Sequence, residues 1–106
     1  MDSRDPYDIV FDSDVEQHLN AIDRKYHGLI QQTIDDQLEH QAEVETKNRK
    51  RLREPAAFGA TWEIRFGPDN RFRVLYRMEP PRQVVVVAIG TKQRNRLWVG
   101  EKEIKL

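Results

Sequence analysis

The sequence of 106 residues contains no cysteine, and this absence removes two classes of structure at once. Neither a disulfide bond nor a metal site with cysteine ligands can form, and the absence is compatible with a reducing cytoplasm. The longest apolar run, Val84 to Ile89, is far shorter than the roughly 18 residues of a membrane-spanning helix, and the N-terminus has no apolar signal core. We therefore expect a soluble cytoplasmic protein that folds as one domain over residues 1–106, with residues 1–6 loosely held.

Motifs of several enzyme classes are missing as well. There is no glycine-rich phosphate loop, and His18, His27 and His40 lie at spacings that do not fit a metal site. No serine or threonine shows a recognisable histidine partner in the sequence, although a partner brought close by folding stays open. Hydrolysis by a metal or by a covalent nucleophile is therefore poorly supported, and we expect no cofactor.

The formal net charge is zero, but the two parts of the chain are oppositely charged. Residues 1–45 hold 12 acidic and three basic side chains, whereas residues 46–106 hold 15 basic and six acidic ones. This asymmetry indicates an anionic partner for the basic part. The alternative, in which acidic helices only offset a basic sheet within the molecule, stays open.

The stretch from Thr61 to Ile89 has the clearest strand pattern. Apolar side chains alternate with Glu63 and Arg65 over residues 62–66, and with three arginines and one leucine over residues 71–78. Residues 67–70 have turn chemistry, so the two segments are predicted to form an antiparallel hairpin. The apolar run Val84 to Ile89 is typical of a central strand that is covered on both faces.

The remaining pattern completes a fold prediction. Residues 7–11 alternate as a strand, and two apolar stripes predict helices, the second from about Leu29 to Val44. The order of elements predicts an α+β fold, with an N-terminal strand and a two-helix hairpin packed on one face of a small, mainly antiparallel four-stranded sheet. The arginines then lie on the opposite face, and residues 45–55 form a charged loop.

A cationic face that contains one carboxylate suits RNA. Cleavage of RNA can use the 2′-hydroxyl of the substrate, and it then needs a proton acceptor, a stabilised phosphorane and a protonated leaving oxygen. Fixed guanidinium groups stabilise the charge of such a transition state. Glu63 shares a face with Arg65 and is a candidate base. An ion pair between Glu63 and Arg73 with little functional consequence is an equally good interpretation.

Four stretches of the chain together resemble the RelE/ParE superfamily of bacterial toxins. They are Thr46 to Lys50, Trp62 to Arg65, Arg71 to Tyr76 and Ala88 to Lys92. The predicted order of elements is similar too, so the resemblance covers nearly the whole chain from Tyr7 onward. It implies a RelE-like fold and a toxin of a type II toxin-antitoxin system, held inactive by a cognate antitoxin. RelE-like members cleave messenger RNA in the ribosomal A site without a metal or cofactor.

The resemblance also implies functional positions. The family's cations on the second strand fall on Glu63 and Arg65, of which only Arg65 is basic, and its phosphate-binding arginine falls on Arg73. We predict as catalytic residues Glu63, Arg65, Arg73, Lys92 and Arg94, with Lys92 or Glu63 as the base. The predicted RNA-binding residues are Lys47, Arg49, Lys50, Arg51, Arg71 and Trp98. Trp98 matches an aromatic position of the family but lacks a phenolic hydroxyl, so we expect it to stack on a base without transferring a proton.

Two other functions stay open at this point. ParE-like members bind DNA gyrase and inhibit it without catalysis of their own, and a degenerate toxin would bind only its antitoxin. The number of cations around one spot favours the ribosome-dependent endoribonuclease, with the ribosome and messenger RNA as partners and no membrane partner. The resemblance leaves the oligomeric state open, a dimer of toxin-antitoxin heterodimers included.

Overall fold

The computed structural model of the protein describes residues 5–53 and 57–104, which form an α+β structure around one sheet. The elements in chain order are β1 (Asp8–Phe11), α1 (Val15–Asn20), α2 (His27–Leu38), β2 (Arg49–Arg51), β3 (Trp62–Phe66), β4 (Phe72–Glu79), β5 (Gln83–Gln93), β6 (Arg96–Val99) and β7 (Lys102–Ile104). The predicted fold class, with a mainly antiparallel sheet, is confirmed. The expectation for residues 1–6 falls mostly outside the described residues and stays a prediction.

The sheet has seven strands in the described part of the chain, and the predicted number of four is wrong. Six strands follow the order β2-β3-β4-β5-β6-β7 in antiparallel pairs, and β1 pairs with β5 in parallel. The strands β2, β6 and β7 are three or four residues long and carry several charged side chains. They lack the long apolar alternation that identifies a strand in sequence, and they form because a neighbouring strand offers unpaired backbone groups.

Strand β5 is the centre of the sheet. Strand β4 pairs along one of its edges, while β1 pairs with Gln83–Val86 and β6 with Gly90–Gln93 on the other edge. Between these two partners the backbone N–H of Ile89 donates to Nδ1 of His18, at 3.4 Å, from helix α1. His18 is buried, so a side chain satisfies the backbone where no strand reaches.

One face of the sheet packs against the helices as the alternation predicts. Trp62, Ile64 and Phe66 of β3 belong to a core that also contains the buried stripe Ile30, Ile34 and Leu38 of α2. Helix α2 begins and ends earlier than predicted, at His27 and Leu38, and the chain then turns beneath the sheet. Neither described helix is long and apolar enough to cross a membrane.

The other face of the sheet is less open than the sequence suggests. A second core forms there from Leu75 of β4, three residues of β5 and Leu97 and Val99 of β6. Gly90 allows this close approach, because a Cβ at that position would lie 2.8 Å from the carbonyl oxygen of Trp98. The arginine-bearing face therefore has two parts, an apolar part that includes Leu97 and Val99 of β6 and a cationic part beside it.

The His18 contact makes stability depend on pH. Burial lowers the pKa of His18 from its ordinary 6.5, while Asp14 and Asp12 oppose that shift. As the pH falls below about 6.5 the unfolded chain takes up a proton that the folded chain resists, so stability falls. Measured by urea unfolding, the free energy of unfolding of His18→Asn should fall less between about pH 7.5 and pH 5.5 than that of the wild type. Asparagine keeps an acceptor near Nδ1 but does not titrate.

The exposed residue His40 provides the control for this prediction. His40→Asn should keep the pH dependence of the wild type. Equal losses of stability in the wild type and in His18→Asn would contradict the assigned contact.

The turn between β5 and β6 stores strain that a substitution should release. Arg94 and Asn95 form this two-residue turn with φ of 50° and 68°, the signs that a type I′ turn requires. A left-handed conformation costs roughly 1–2 kcal/mol for an ordinary residue and less for asparagine. Arg94→Asn should therefore raise the free energy of unfolding by about 0.5–1 kcal/mol, measured as a higher thermal midpoint. The control is Lys92→Asn, which removes a charge inside β5 and should not raise the thermal midpoint. A lower thermal midpoint for Arg94→Asn than for the wild type would refute the assigned strain.

Candidate functional site

Three charged side chains meet on the sheet face opposite the helices. Arg65 of β3 and Arg73 of β4 are direct register partners, and Glu63 lies two residues before Arg65 on the same face. One carboxylate oxygen of Glu63 accepts a hydrogen bond from Nε of Arg65 at 3.0 Å. Its other oxygen lies 3.6 Å from Nε of Arg73. A single carboxylate therefore bridges two arginines.

Arg73 is a buried arginine with several fixed contacts. The whole residue is 5% exposed, and its Nη1 donates to the carbonyl oxygens of Asn70 and Phe72. Burial lowers the pKa of Arg73, Glu63 raises it, and the nearby charge of Arg65 lowers it. An arginine side chain keeps its charge in proteins, so the contacts hold a permanent cation in one orientation.

The two arginines line one wall of a concave surface that we call the cationic groove. It has a volume of about 580 Å³, and its charged lining residues are Glu63, Arg65, Arg73, Lys92, Arg94, Arg96 and Glu103. The side chain of Arg65 is 47% exposed, and among the described residues we find a partner only for its Nε. The structure thus brings together all five residues predicted as catalytic. Basic groups outnumber acidic ones in this groove.

The groove continues past the strained β5–β6 turn. Two adjoining depressions of about 380 and 490 Å³ share Lys92 and Arg94 with it and reach the turn before β4. The backbone N–H of Lys92 donates to the carbonyl oxygen of Arg71 at 2.7 Å, which fixes the two walls to each other. Arg71 itself lies over the ring of Tyr26, 5.6 Å from its centroid, and donates to its hydroxyl at 3.2 Å.

The prediction that Arg49 binds RNA is wrong, because this residue is fully buried. Its Nε donates to the carbonyl oxygen of Val44 at 2.6 Å, and its Nη2 donates to Oε1 of Gln41 at 3.1 Å. Its Nη1 donates to the backbone and side-chain oxygens of Gln37. Burial lowers the pKa of Arg49. Arg49 therefore ties the segment after α2 to the sheet, and it presents no group to a ligand.

The other cations of this segment are exposed but lie outside the cationic groove. Lys50 is the register partner of Glu63, so it lies on the same face of the sheet, one strand further out. The guanidinium of Arg51 lies over the ring of Trp62, 6.0 Å from its centroid. Lys47, Lys50 and Arg51 are all exposed, and their contact with RNA stays a prediction.

Trp98 lies on the opposite side of its strand from the groove, and its predicted stacking on an RNA base stays a prediction. Strand β6 places Leu97 on the groove side, and Trp98 lines a separate cavity of about 290 Å³ with His18 and Thr91. Side chains of a strand alternate between faces. No strand was predicted over residues 96–99, so the sequence could not assign a face to Trp98.

Three polar residues of the groove were not predicted from the sequence, namely Asn95, Arg96 and Glu103. Arg96 and Glu103 form an exposed ion pair of 3.7 Å between β6 and β7. The pair Arg94–Asn95, flanked by polar residues, was a weak turn signal that would have predicted the hairpin. Among the described residues, no group of three or more histidine, aspartate or glutamate side chains is arranged to hold a metal ion.

Comparison with known proteins identifies the family. Residues 9–96 match the family model described as the ParE toxin of the type II toxin-antitoxin system, parDE. No curated protein is similar enough to the chain to count as a match. The matched region includes β1, both helices and the strands β2 to β5, together with Glu63, Arg65, Arg73, Lys92 and Arg94. A type II system pairs a toxin with an antitoxin that binds it, so a cognate antitoxin is the partner that this family implies. The chain belongs to the ParE toxin family of type II toxin-antitoxin systems.

Proposed function

We propose that this toxin is a ribosome-dependent endoribonuclease and that its cationic groove holds the scissile phosphate of messenger RNA. The observation that carries the proposal is the pairing of Arg65 and Arg73, which lie opposite each other and share the carboxylate of Glu63. Lys92 and Arg94 line the same groove. Donors that are fixed before the reaction stabilise developing charge well, because they need not reorient. A surface that only binds another protein has no evident need for such an arrangement.

The proposed reaction is transfer of the phosphoryl group within the RNA chain. The 2′-oxygen bonds to phosphorus as its proton passes to a base, and the bond to the 5′-oxygen breaks. The leaving oxygen takes a proton from water, which gives a 2′,3′-cyclic phosphate and a 5′-hydroxyl. Arg65 and Arg73 neutralise the non-bridging oxygens, since a planar guanidinium matches phosphoryl geometry. Arg94 stabilises the charge on the leaving oxygen.

Lys92 is the base in this proposal. Its side chain is exposed on the groove, where its amine can reach a substrate hydroxyl. Glu63 was the other candidate, but it is 3% exposed and each of its oxygens faces a guanidinium. A carboxylate that is buried and paired with two cations is poorly placed to accept the proton of a substrate hydroxyl.

Primer extension on a reporter messenger RNA tests this proposal. The message is translated in a purified bacterial system with the wild-type toxin, Arg65→Gln or Lys92→Gln. We expect cuts only on translated message, a loss of about 10²-fold or more in Arg65→Gln, and no cuts with Lys92→Gln. Arg65 is a better target than Arg73, because removing Arg73 leaves Glu63 buried beside fewer cations and destabilises the fold.

Arg24→Gln provides a matched control, since it removes the same charge from the exposed turn before α2. This variant should cleave as the wild type does. Full cleavage by both groove variants would refute the assigned site, and intact message in every reaction would refute the nuclease.

The second candidate is inhibition of DNA gyrase by protein binding. It is supported by the match to the ParE family model. It is also supported by the chemistry of the groove, because the carboxylate of Glu63 is paired with two arginines and Trp98 lies outside the groove. In this case a supercoiling assay should show inhibition by the wild type, with messenger RNA left intact. Lys92→Gln should then inhibit as well as the wild type, because no proton transfer is involved. Loss of inhibition in that variant would argue for contact through the groove.

The remaining cations and the partners are part of the same proposal. Lys47, Lys50, Arg51 and Arg71 contact ribosomal RNA phosphates, so affinity for the ribosome falls steeply with salt. The cognate antitoxin covers the cationic groove with acidic or apolar segments, because a neutralised groove no longer attracts RNA. The toxin acts in the cytoplasm, where its proposed target is found.

A further inference from the structure

Arg65 and Arg73 are like charges placed side by side. They occupy directly opposed positions on β3 and β4, where their Cβ atoms are forced close together. Two adjacent guanidinium groups repel each other, and the buried one cannot reorient into water to reduce that repulsion. Some other group must hold the two side chains in parallel. The only acidic side chain that the structure places between them, among the described residues, is Glu63.

We infer that Glu63 is a positioning residue that clamps Arg65 and Arg73 into one phosphate-binding fork. The inference rests on the proposed function for its ligand, which is an RNA phosphodiester. Glu63 binds each arginine through Nε, at 3.0 Å for Arg65 and 3.6 Å for Arg73. The contact of Arg65 is made through Nε, and for its terminal nitrogens the described residues offer no partner. The clamp thereby orients the donors that a phosphate would use.

This role differs in kind from that of a surface ion pair. The Glu63 side chain is 4% exposed, so the pair is shielded from screening by solvent and salt. By contrast, the groove's other acid, Glu103, is 35% exposed and pairs, among the described residues, with Arg96. Both acids line the same groove and carry the same charge. They differ in whether they touch the two central arginines, which makes them a matched pair for an experiment.

Binding of a short polyuridylate oligomer separates positioning from simple charge. Removing any negative charge from a cationic groove should strengthen binding of a polyanion, and we expect Glu103→Gln to tighten it by about twofold. Glu63→Gln makes the same change in charge but releases the arginines, so we expect binding weakened by about tenfold. The salt dependence should become shallower in Glu63→Gln only, because fewer phosphate contacts remain. Tighter binding by Glu63→Gln would overturn the inference.

Glu63→Asp tests the geometry at constant charge. Aspartate is one methylene shorter and cannot reach both Nε atoms, so binding should fall although the charge is kept. Thermal unfolding of each variant shows whether the fold is intact. Affinity equal to that of the wild type in folded Glu63→Asp would contradict the shared clamp.

A measurement without RNA keeps the inference independent of the proposed function. In ¹⁵N-labelled protein, the Nε–H signals of Arg65 and Arg73 should both shift and exchange faster with water in Glu63→Gln. The same signals should stay in place in Glu103→Gln. Unchanged arginine signals in Glu63→Gln would overturn the clamp. Failure of the wild type to bind polyuridylate, with the NMR result as expected, would remove RNA as the ligand and leave the clamp supported.

Discussion

The burial of strand β5 is the constraint on which the rest of the structure depends. This strand is eleven residues long, and its side chains from Val84 to Ile89 are all buried, so it needs cover on two faces and partners on two edges. Helices α1 and α2 cover one face, and a second apolar cluster that includes Leu97 and Val99 of β6 buries part of the other. Strands β4, β1 and β6 supply the partners along its edges. Where β1 and β6 leave a gap, His18 accepts the free N–H of Ile89, because a buried backbone donor without a partner is costly.

The cationic groove lies where β5 leaves this cover. Beyond Gly90 the strand emerges from the core, and its residues Lys92 and Gln93 become exposed. The strained Arg94–Asn95 turn then reverses the chain, and β6 pairs with the end of β5. The groove is the space between this returning hairpin and the exposed part of β3 and β4. The cations of the groove therefore come from the four strands β3 to β6 and from the turn between β5 and β6.

Three arginines of one sheet show how burial decides the role of a charge. Arg49 faces the helices and is saturated by oxygen acceptors, so it serves the fold. Arg73 faces the groove but is held by Glu63 and by backbone carbonyls, so it is a fixed charge. Arg65 shares that carboxylate, and 47% of its side chain is exposed. Each arrangement follows from the cost of burying an unpaired charge, which makes a buried guanidinium acquire partners.

The sequence by itself determined the fold class, the β3–β4 hairpin with its apolar and arginine-bearing faces, and the buried character of β5. These are local properties, since strict alternation over five or more residues fixes which side chains share a face. It also brought the five central candidates together, because alternation and strand order were right for Arg65 and Arg73.

Only the tertiary structure decided the number of strands, the burial of Arg49 and the side on which Trp98 lies. Segments such as Arg49–Arg51 and Lys102–Ile104 carry no apolar pattern of their own. Their pairing depends on the free backbone edge of a distant strand, and a short polar strand can present either face to the core. The sequence therefore located the charges of this site, and tertiary packing determined which of them a ligand can reach.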